Sequence, residues 1–184
     1  YIPKFKDIYN HNKKSNIKIA NKDKILCAKF RRGHFEGVLD VMERLTNLVN
    51  PKKIFMGKKD YQQYFLIKNY LKNKYKTSII PCKTIRDISK IALSSRNNHL
   101  DLNGIKKASF LSKSLIKLKR NLANSKKIKQ NLRIQMKYFE KLLKIKIEYL
   151  ELRSIKNLKI SNNVRDSRLF IAYYIDKVRL IDNF

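Results

Sequence analysis

Three short stretches carry side chains whose types and spacing suit phosphate chemistry. The first is Phe55-Met56-Gly57-Lys58-Lys59-Asp60-Tyr61-Gln62-Gln63. The apolar run before Gly57 follows an Asn50-Pro51 turn and reads as a buried strand. From Asp60 onward Tyr61, Tyr64, Phe65, Ile67 and Leu71 recur at helical spacing, so a helix starts there with Asp60 as its cap and fades near Tyr75. A strand, then a glycine that lets the backbone bend and approach a ligand, then a helix start, presents N–H groups and a positive dipole to an anion. Lys59 at that junction adds a mobile cation suited to a phosphate. The second stretch, Ile91 to Asn97, ends in Ser94-Ser95-Arg96, two hydroxyls and a guanidinium able to grip a triphosphate. The third, Arg31-Arg32-Gly33-His34-Phe35-Glu36-Gly37-Val38, opens a helix, with Arg31 placed to reach over a pocket and His34 read as a cap or packing residue. Each stretch alone is generic.

In this order and spacing the three resemble the pantothenate synthetase family, the pantoate–β-alanine ligases, whose patterns run roughly RPGHFxGV, FGEKDxQQ and LALSSRN. Tyr149-Leu150-Glu151-Leu152-Arg153 and Arg179-Leu180-Ile181-Asp182-Asn183 also resemble that family, and the likeness runs over nearly the whole chain. It implies condensation of ATP with pantoate to a pantoyl adenylate, releasing pyrophosphate. Attack by β-alanine then gives pantothenate and AMP. Catalysis would come from positioning and from cations on the phosphates, without a covalent protein nucleophile.

Carried over residue by residue, the resemblance puts Gly57, Lys58 and Asp60 along the nucleotide, with Gly57 and Asp60 at the ribose. Lys59 would bridge the phosphates and the pantoate carboxylate. Gln63 and Arg31 would bind pantoate. Ile85 and Leu93 would meet adenine through backbone groups, and Ser94, Ser95 and Arg96 would close on the phosphates. Mg²⁺ would arrive with ATP as the substrate's own complex, and no metal held by the protein is expected. The family is commonly dimeric, which implies a homodimer, while cysteines that read as reduced and a charged, polar opening without a signal peptide suit a cytoplasmic protein.

Three departures stand against this. Lys58 replaces the acidic residue of GEKD, and Ser89-Lys90 replaces an Asp-Gly pair, costing a flexible turn. The family's HxGH motif, which supplies histidines to the ATP phosphates, does not occur here. The chain also begins with Tyr1, which reads as the start of a fragment that would make no pantothenate alone. The alternatives are an inactive remnant or a basic nucleic-acid-binding module on the same fold.

The elements that must position these residues follow from periodicity. Tyr1 to Asn16 reads as a loop and Ile17-Lys18-Ile19 as a brief strand. Val38, Leu39, Met42, Leu45 and Val49 mark one amphipathic helix from His34. Ser78-Ile79-Ile80-Pro81-Cys82 reads as a second strand, so strand, helix and strand make a βαβ unit with parallel pairing. Gly57 to Gln63 and the segment after Lys83 then fall at the carboxyl ends of the strands, where open α/β sheets bind ligands. Asp87 to Asn98 reads as irregular. Two stripes follow, Ile105, Ala108, Leu111, Leu115, Leu118, Leu122 and then Ile128, Leu132, Met136, Phe139, Leu143. Strands are expected over 145–152, 168–174 and 177–181, the last two as a hairpin. The class is therefore α/β, a partial Rossmann-like parallel sheet over 1–85. A smaller α+β domain of a helical pair plus antiparallel strands follows over 86–184, a lid if the resemblance holds.

Composition sets the outer limits. Lys+Arg of 44 against Asp+Glu of 14 gives a net charge of +30 and a pI near 10.2. Such a charge attracts phosphate backbones, but the lysines are scattered and no zinc-finger or RNA-binding signature occurs, so no specific nucleic-acid partner is expected. Cys27 and Cys82 lack metal or redox spacing and read as reduced core residues. His11, His34 and His99 form no zinc pattern. No apolar run approaches the roughly 18 residues a membrane helix needs, so no membrane partner is expected.

Overall fold

The computed structural model describes residues 2–9 and 16–184, which divide into two compact units, Tyr1–Lys83 and Thr84–Phe184. Positions 10–15 of the expected opening loop, His11 among them, lie outside the described residues. Phe5–Ile8 is not loop but one helical turn, α1, started where the Asp7 carboxylate accepts from the Lys4 N–H at 2.8 Å. Ile17 to Ile19 is not a strand, because no described strand pairs with it. Ile19 is nonetheless buried.

In the first unit a short helix, α2 (Cys27–Phe30), leads into α3 (His34–Val49). Gly33 makes that junction at φ +75, a left-handed conformation that favours glycine. Phe35 and Leu39 are buried, while Val49 is 57% exposed and falls outside the expected stripe, at the last turn of the helix. The βαβ unit follows as β1 (Lys53–Gly57), α4 (Tyr61–Leu71) and β2 (Ser78–Cys82). The strands pair in parallel, with Gly57 opposite Cys82 at their carboxyl ends. Tyr61, Tyr64, Ile67 and Leu71 of α4 are buried, as the spacing requires. The helix stops four residues before Tyr75, because the N–H groups of Lys74 and Tyr75 both turn back to the Leu71 carbonyl at 3.0 Å.

β1 departs from the buried strand expected of it. Its residues alternate between exposed and half-covered, and Phe55 is 66% exposed. Parallel strands read as buried when helices cover both faces, whereas this sheet has two strands and one face of β1 stays open. Cys27 is buried as expected but Cys82, at the end of β2, is exposed. α3 and α4 are joined by a small polar knot in which the Tyr70 hydroxyl and the Lys74 ammonium both donate to Glu43. Lys74 is pushed up to about 12, first by its bond to Glu43 and then by Tyr70. Burial pushes the Glu43 carboxyl up, but those two donors outweigh it and hold the group below its ordinary value.

The second unit is built from α5 (Leu102–Leu122), α6 (Ile128–Leu143) and an antiparallel sheet. The sheet runs β3 (Lys146–Ser154), β4 (Ser167–Ile175), β5 (Val178–Asn183), with β4 in the middle. Asp101 caps α5 by accepting from the Gly104 N–H at 2.6 Å. Lys144 at φ +51 ends α6. Ala108, Leu111, Leu115 and Leu122 of the first stripe and Ile128, Leu132 and Phe139 of the second pack with the sheet in one core cluster. The β4–β5 turn falls at Asp176, which takes φ +51. A parallel two-stranded βαβ part followed by a helical pair and an antiparallel sheet is the architecture that the periodicity implies.

Candidate functional site

In the first unit five of the expected site residues, Gly57, Lys58, Lys59, Asp60 and Gln63, lie where β1 gives way to α4. Gly57 has φ −66 and ψ 131, an extended conformation open to any residue, so no glycine-enforced bend exists there. An added Cβ would meet nothing within 4 Å, and the absent side chain leaves open space at the strand's end. A 3-10 turn, Lys58–Asp60, separates strand from helix. Asp60 takes the N-cap position, yet its side chain accepts no capping bond. Its ψ of 56 departs from the extended geometry that caps use. The carboxylate lies 3.8 Å from the Lys59 ammonium, with the Lys59 side chain 20% and that of Asp60 50% exposed. Lys58 and Gln63 are half-buried.

Arg31 and His34 form a pair, Nη1 to Nε2 at 2.7 Å. His34 also packs on Phe35, with ring centroids 4.9 Å apart, and Gly33 rather than His34 stands at the N-cap of α3. Gln62, beside the expected Gln63, does structural service that its sequence position did not disclose. It is 6% exposed, and its Nε2 donates to the carbonyls of Ile25 at 2.7 Å and Asp23 at 3.3 Å. Those bonds fasten a turn in which Leu26 adopts φ 48. Only a long-range contact between positions 25 and 62 separates the roles of the two adjacent glutamines.

In the second unit 85–99 is ordered where irregular chain was expected. Arg86 and Ala92 form an antiparallel bridge, flanked by Leu93 N–H to Ile85 C=O and Asp87 N–H to Ile91 C=O, both at 3.0 Å. Lys90 N–H closes the turn on the Asp87 carbonyl at 3.0 Å, and Lys90 sits at φ +70. The turn foreseen as lost with the Asp-Gly pair is therefore kept, with a lysine in the left-handed region. Lys90→Gly should relieve that strain and stabilise the protein by about 1 kcal/mol. Thermal melts should show a Tm several degrees above the parent, and a lower Tm would refute the strain.

Ile85 and Leu93 are 64% and 54% exposed. Their backbone groups are half engaged, because the reciprocal bond from Ile85 N–H to Leu93 C=O is not made. The Ile85 N–H and the Leu93 C=O are both left without a backbone partner among the described residues. Ser94 caps the 3-10 helix Ser95–His99 by accepting from the Arg96 N–H at 3.3 Å. Arg96 Nη1 donates to the Arg179 carbonyl at 3.1 Å, and Asn97 Nδ2 to that of Ala92 at 3.1 Å. The Arg86 guanidinium grips Asp182 through two bonds of 2.7 and 2.9 Å. Tyr173 faces the same pair, and burial first, then the Asp182 charge, push its phenol far above the usual range. Among the described residues no group of three or more His, Cys, Asp or Glu could hold a metal ion, and no helix is long and apolar enough to cross a membrane.

The sequence model of the family described as pantoate–β-alanine ligase matches residues 1–184. The chain belongs to the pantoate–β-alanine ligase family. A bifunctional pantoate ligase/cytidylate kinase of Prochlorococcus marinus (strain AS9601) is 40% identical over the whole chain, which spans 36% of that protein. A pantothenate synthetase of Campylobacter hominis is 33% identical, again over the whole chain, which spans 67% of it. Among solved structures, pantothenate synthetase from Thermus thermophilus superposes with a TM-score of 0.82 at 25% identity, over 99% of this chain and 67% of that one. The Francisella tularensis pantoate–β-alanine ligase, solved with β,γ-ATP and β-alanine, gives 0.73 at 34% identity, over 97% of this chain and 61% of that one. The fold is that of the pantothenate synthetases, and the chain spans about two thirds of their length.

Proposed function

We propose that this chain performs the nucleotide-handling share of ATP-dependent pantothenate synthesis. The observation that carries it is the family match over residues 1–184, in a chain that holds Lys59, Asp60, Gln63, Ser94, Ser95 and Arg96, to which the resemblance assigns the site. All six lie outside the hydrophobic core cluster, although Ser94 also caps a 3-10 helix and Arg96 also donates to the Arg179 carbonyl.

In the first step the pantoate carboxylate attacks the α-phosphorus of ATP, forming the acyl phosphate bond as the bond to pyrophosphate breaks. In the second, the β-alanine amine attacks the acyl carbonyl, loses a proton and expels AMP. Lys59 would stabilise the charge that redistributes over the α-phosphate. The Asp60 carboxylate, not engaged as a helix cap, would accept from the ribose hydroxyls, with open space at Gly57 beside it. Gln63 would offer both donor and acceptor to pantoate, and Arg31, held by His34, would attract its carboxylate. Ser94 and Ser95 hydroxyls and the remaining N–H groups of Arg96 would donate to phosphate oxygens. Mg²⁺ would come as part of the substrate, bound mainly by the triphosphate. Adenine suits the half-open Ile85–Leu93 bridge, since its N1 accepts and its amino group donates.

The family's HxGH segment, absent from these residues, would supply the remaining phosphate contacts. The test is pyrophosphate release and pantothenate formation by the 184-residue chain, and by the same chain fused behind the family's HxGH-bearing segment. The fusion should turn over and the chain alone should not. Robust synthesis by the chain alone, or a folded but inactive fusion, would overturn the proposal.

A further inference from the structure

Arg86 is the most heavily bonded side chain near the proposed adenine edge, and nothing in the reaction uses it directly. Nη1 donates to Asp182 Oδ2 at 2.7 Å, to the Lys90 carbonyl at 3.0 Å and to Ser112 Oγ at 3.4 Å. Nη2 donates to Asp182 Oδ1 at 2.9 Å and to the Asn183 carbonyl at 3.2 Å. The guanidinium carbon lies 4.5 Å from the centroid of the Phe184 ring. The pair is well covered, with side chains 19% and 8% exposed. Two anchors from α5 reinforce it: Ser112 Oγ donates to the Lys90 carbonyl at 3.0 Å and Ser109 Oγ to that of Ser89 at 2.9 Å.

The position of these bonds matters more than their number. Arg86 is the bridge residue between Ile85 and the turn, so fixing its side chain to β5 fixes the strand that carries the Ile85 N–H. The Lys90 carbonyl, accepting from both Arg86 and Ser112, pins the other end of the turn just before the strand that carries the Leu93 carbonyl. A planar, bidentate guanidinium sets both distance and angle in a way that a lysine ammonium does not.

We propose that the Arg86–Asp182 clamp is a positioning device for base selection, holding the Ile85 donor and Leu93 acceptor at the spacing an adenine edge requires. This rests on the adenine-facing role proposed for Ile85 and Leu93. Guanine presents its acceptor and donor along that edge in the opposite order, so a rigid pair of backbone groups rejects it and a loose pair does not.

The measurement is calorimetric titration of the 184-residue chain with ATP and with GTP, with circular dichroism confirming that each variant is folded. The parent should prefer ATP by about tenfold or more. Arg86→Lys keeps the charge but loses the fork, and should bring the two affinities within about threefold. Ser112→Ala, a milder change that leaves Arg86 and Asp182 in place, should lower the preference by a smaller factor. Leu118→Ala loosens packing elsewhere in the same unit and should leave the ratio untouched, which separates positioning from general destabilisation. A folded Arg86→Lys chain with the parent's ratio would overturn the clamp. Should that variant not fold, an unchanged ratio in Ser112→Ala would overturn it equally. A parent without any preference for ATP would overturn the adenine reading itself.

Discussion

Leu115→Asp should unfold the Thr84–Phe184 unit at moderate temperature, lowering its Tm by about 20 °C or more. Leu115 is 1% exposed on α5, inside the cluster that also holds Leu111, Leu122, Phe139 and Ile171. The change removes roughly 2 to 3 kcal/mol of apolar burial. It also leaves a carboxyl group without a partner in apolar surroundings, which costs at least about 2 kcal/mol more. The sum, about 5 kcal/mol, approaches the whole stability of a domain this size. Melts followed by circular dichroism give the answer, with Leu102→Asp as control because Leu102 is 83% exposed. A Leu115→Asp chain that melts within two or three degrees of the parent would place that helix face outside the core.

Lys59→Ala, made in the fusion that carries the HxGH segment, should lower adenylate formation by two to three orders of magnitude. One preorganised charged donor contributes roughly 2 to 4 kcal/mol to a transition state of this kind. Lys59 suits that role because its side chain is largely covered, at 20% exposed, and so is held in place. ATP affinity should fall far less, since the lysine's main contribution comes as charge redistributes at the α-phosphate. Pyrophosphate release under single-turnover conditions, set beside the ATP dissociation constant, separates the two effects. Equal losses in both would mean that Lys59 supplies uniform binding and no catalysis.

Much of the architecture was legible because it is written in local periods. The two apolar stripes between Ile105 and Leu143 gave α5 and α6 almost to the residue, and β-rich runs gave all five strands among the described residues. What stayed hidden depends on contacts distant in sequence. Phe55 looks like a buried strand residue until the count of neighbouring strands is known. Asp60 has the composition of a cap, but the 3-10 turn before it removes the geometry. Ile85 to Leu93 has too few apolar residues to announce a bridge, and the groups that order it, Ser112 and Asp182, arrive 26 and 96 positions after Arg86. The candidate site shows the same division. Family resemblance picked out Lys59, Gln63 and Ser94 to Arg96, whereas Gln62 and Arg86 emerge only from the folded chain.

The Lys90 turn has a consequence for the order in which substitutions can accumulate. A lysine at φ +70 is tolerable here in company with its carbonyl being held by both Arg86 and Ser112. The two supports and the strained residue therefore share one energetic fate, and their separate effects will not add. In a lineage whose members carry Asp-Gly at this turn, a side chain enters at 90 at least cost where Arg86 and Ser112 are already in place. Once it has entered, drift at either support costs more than it would beside a glycine. The residue that looks like the family's casual departure thus narrows what its neighbours are free to become.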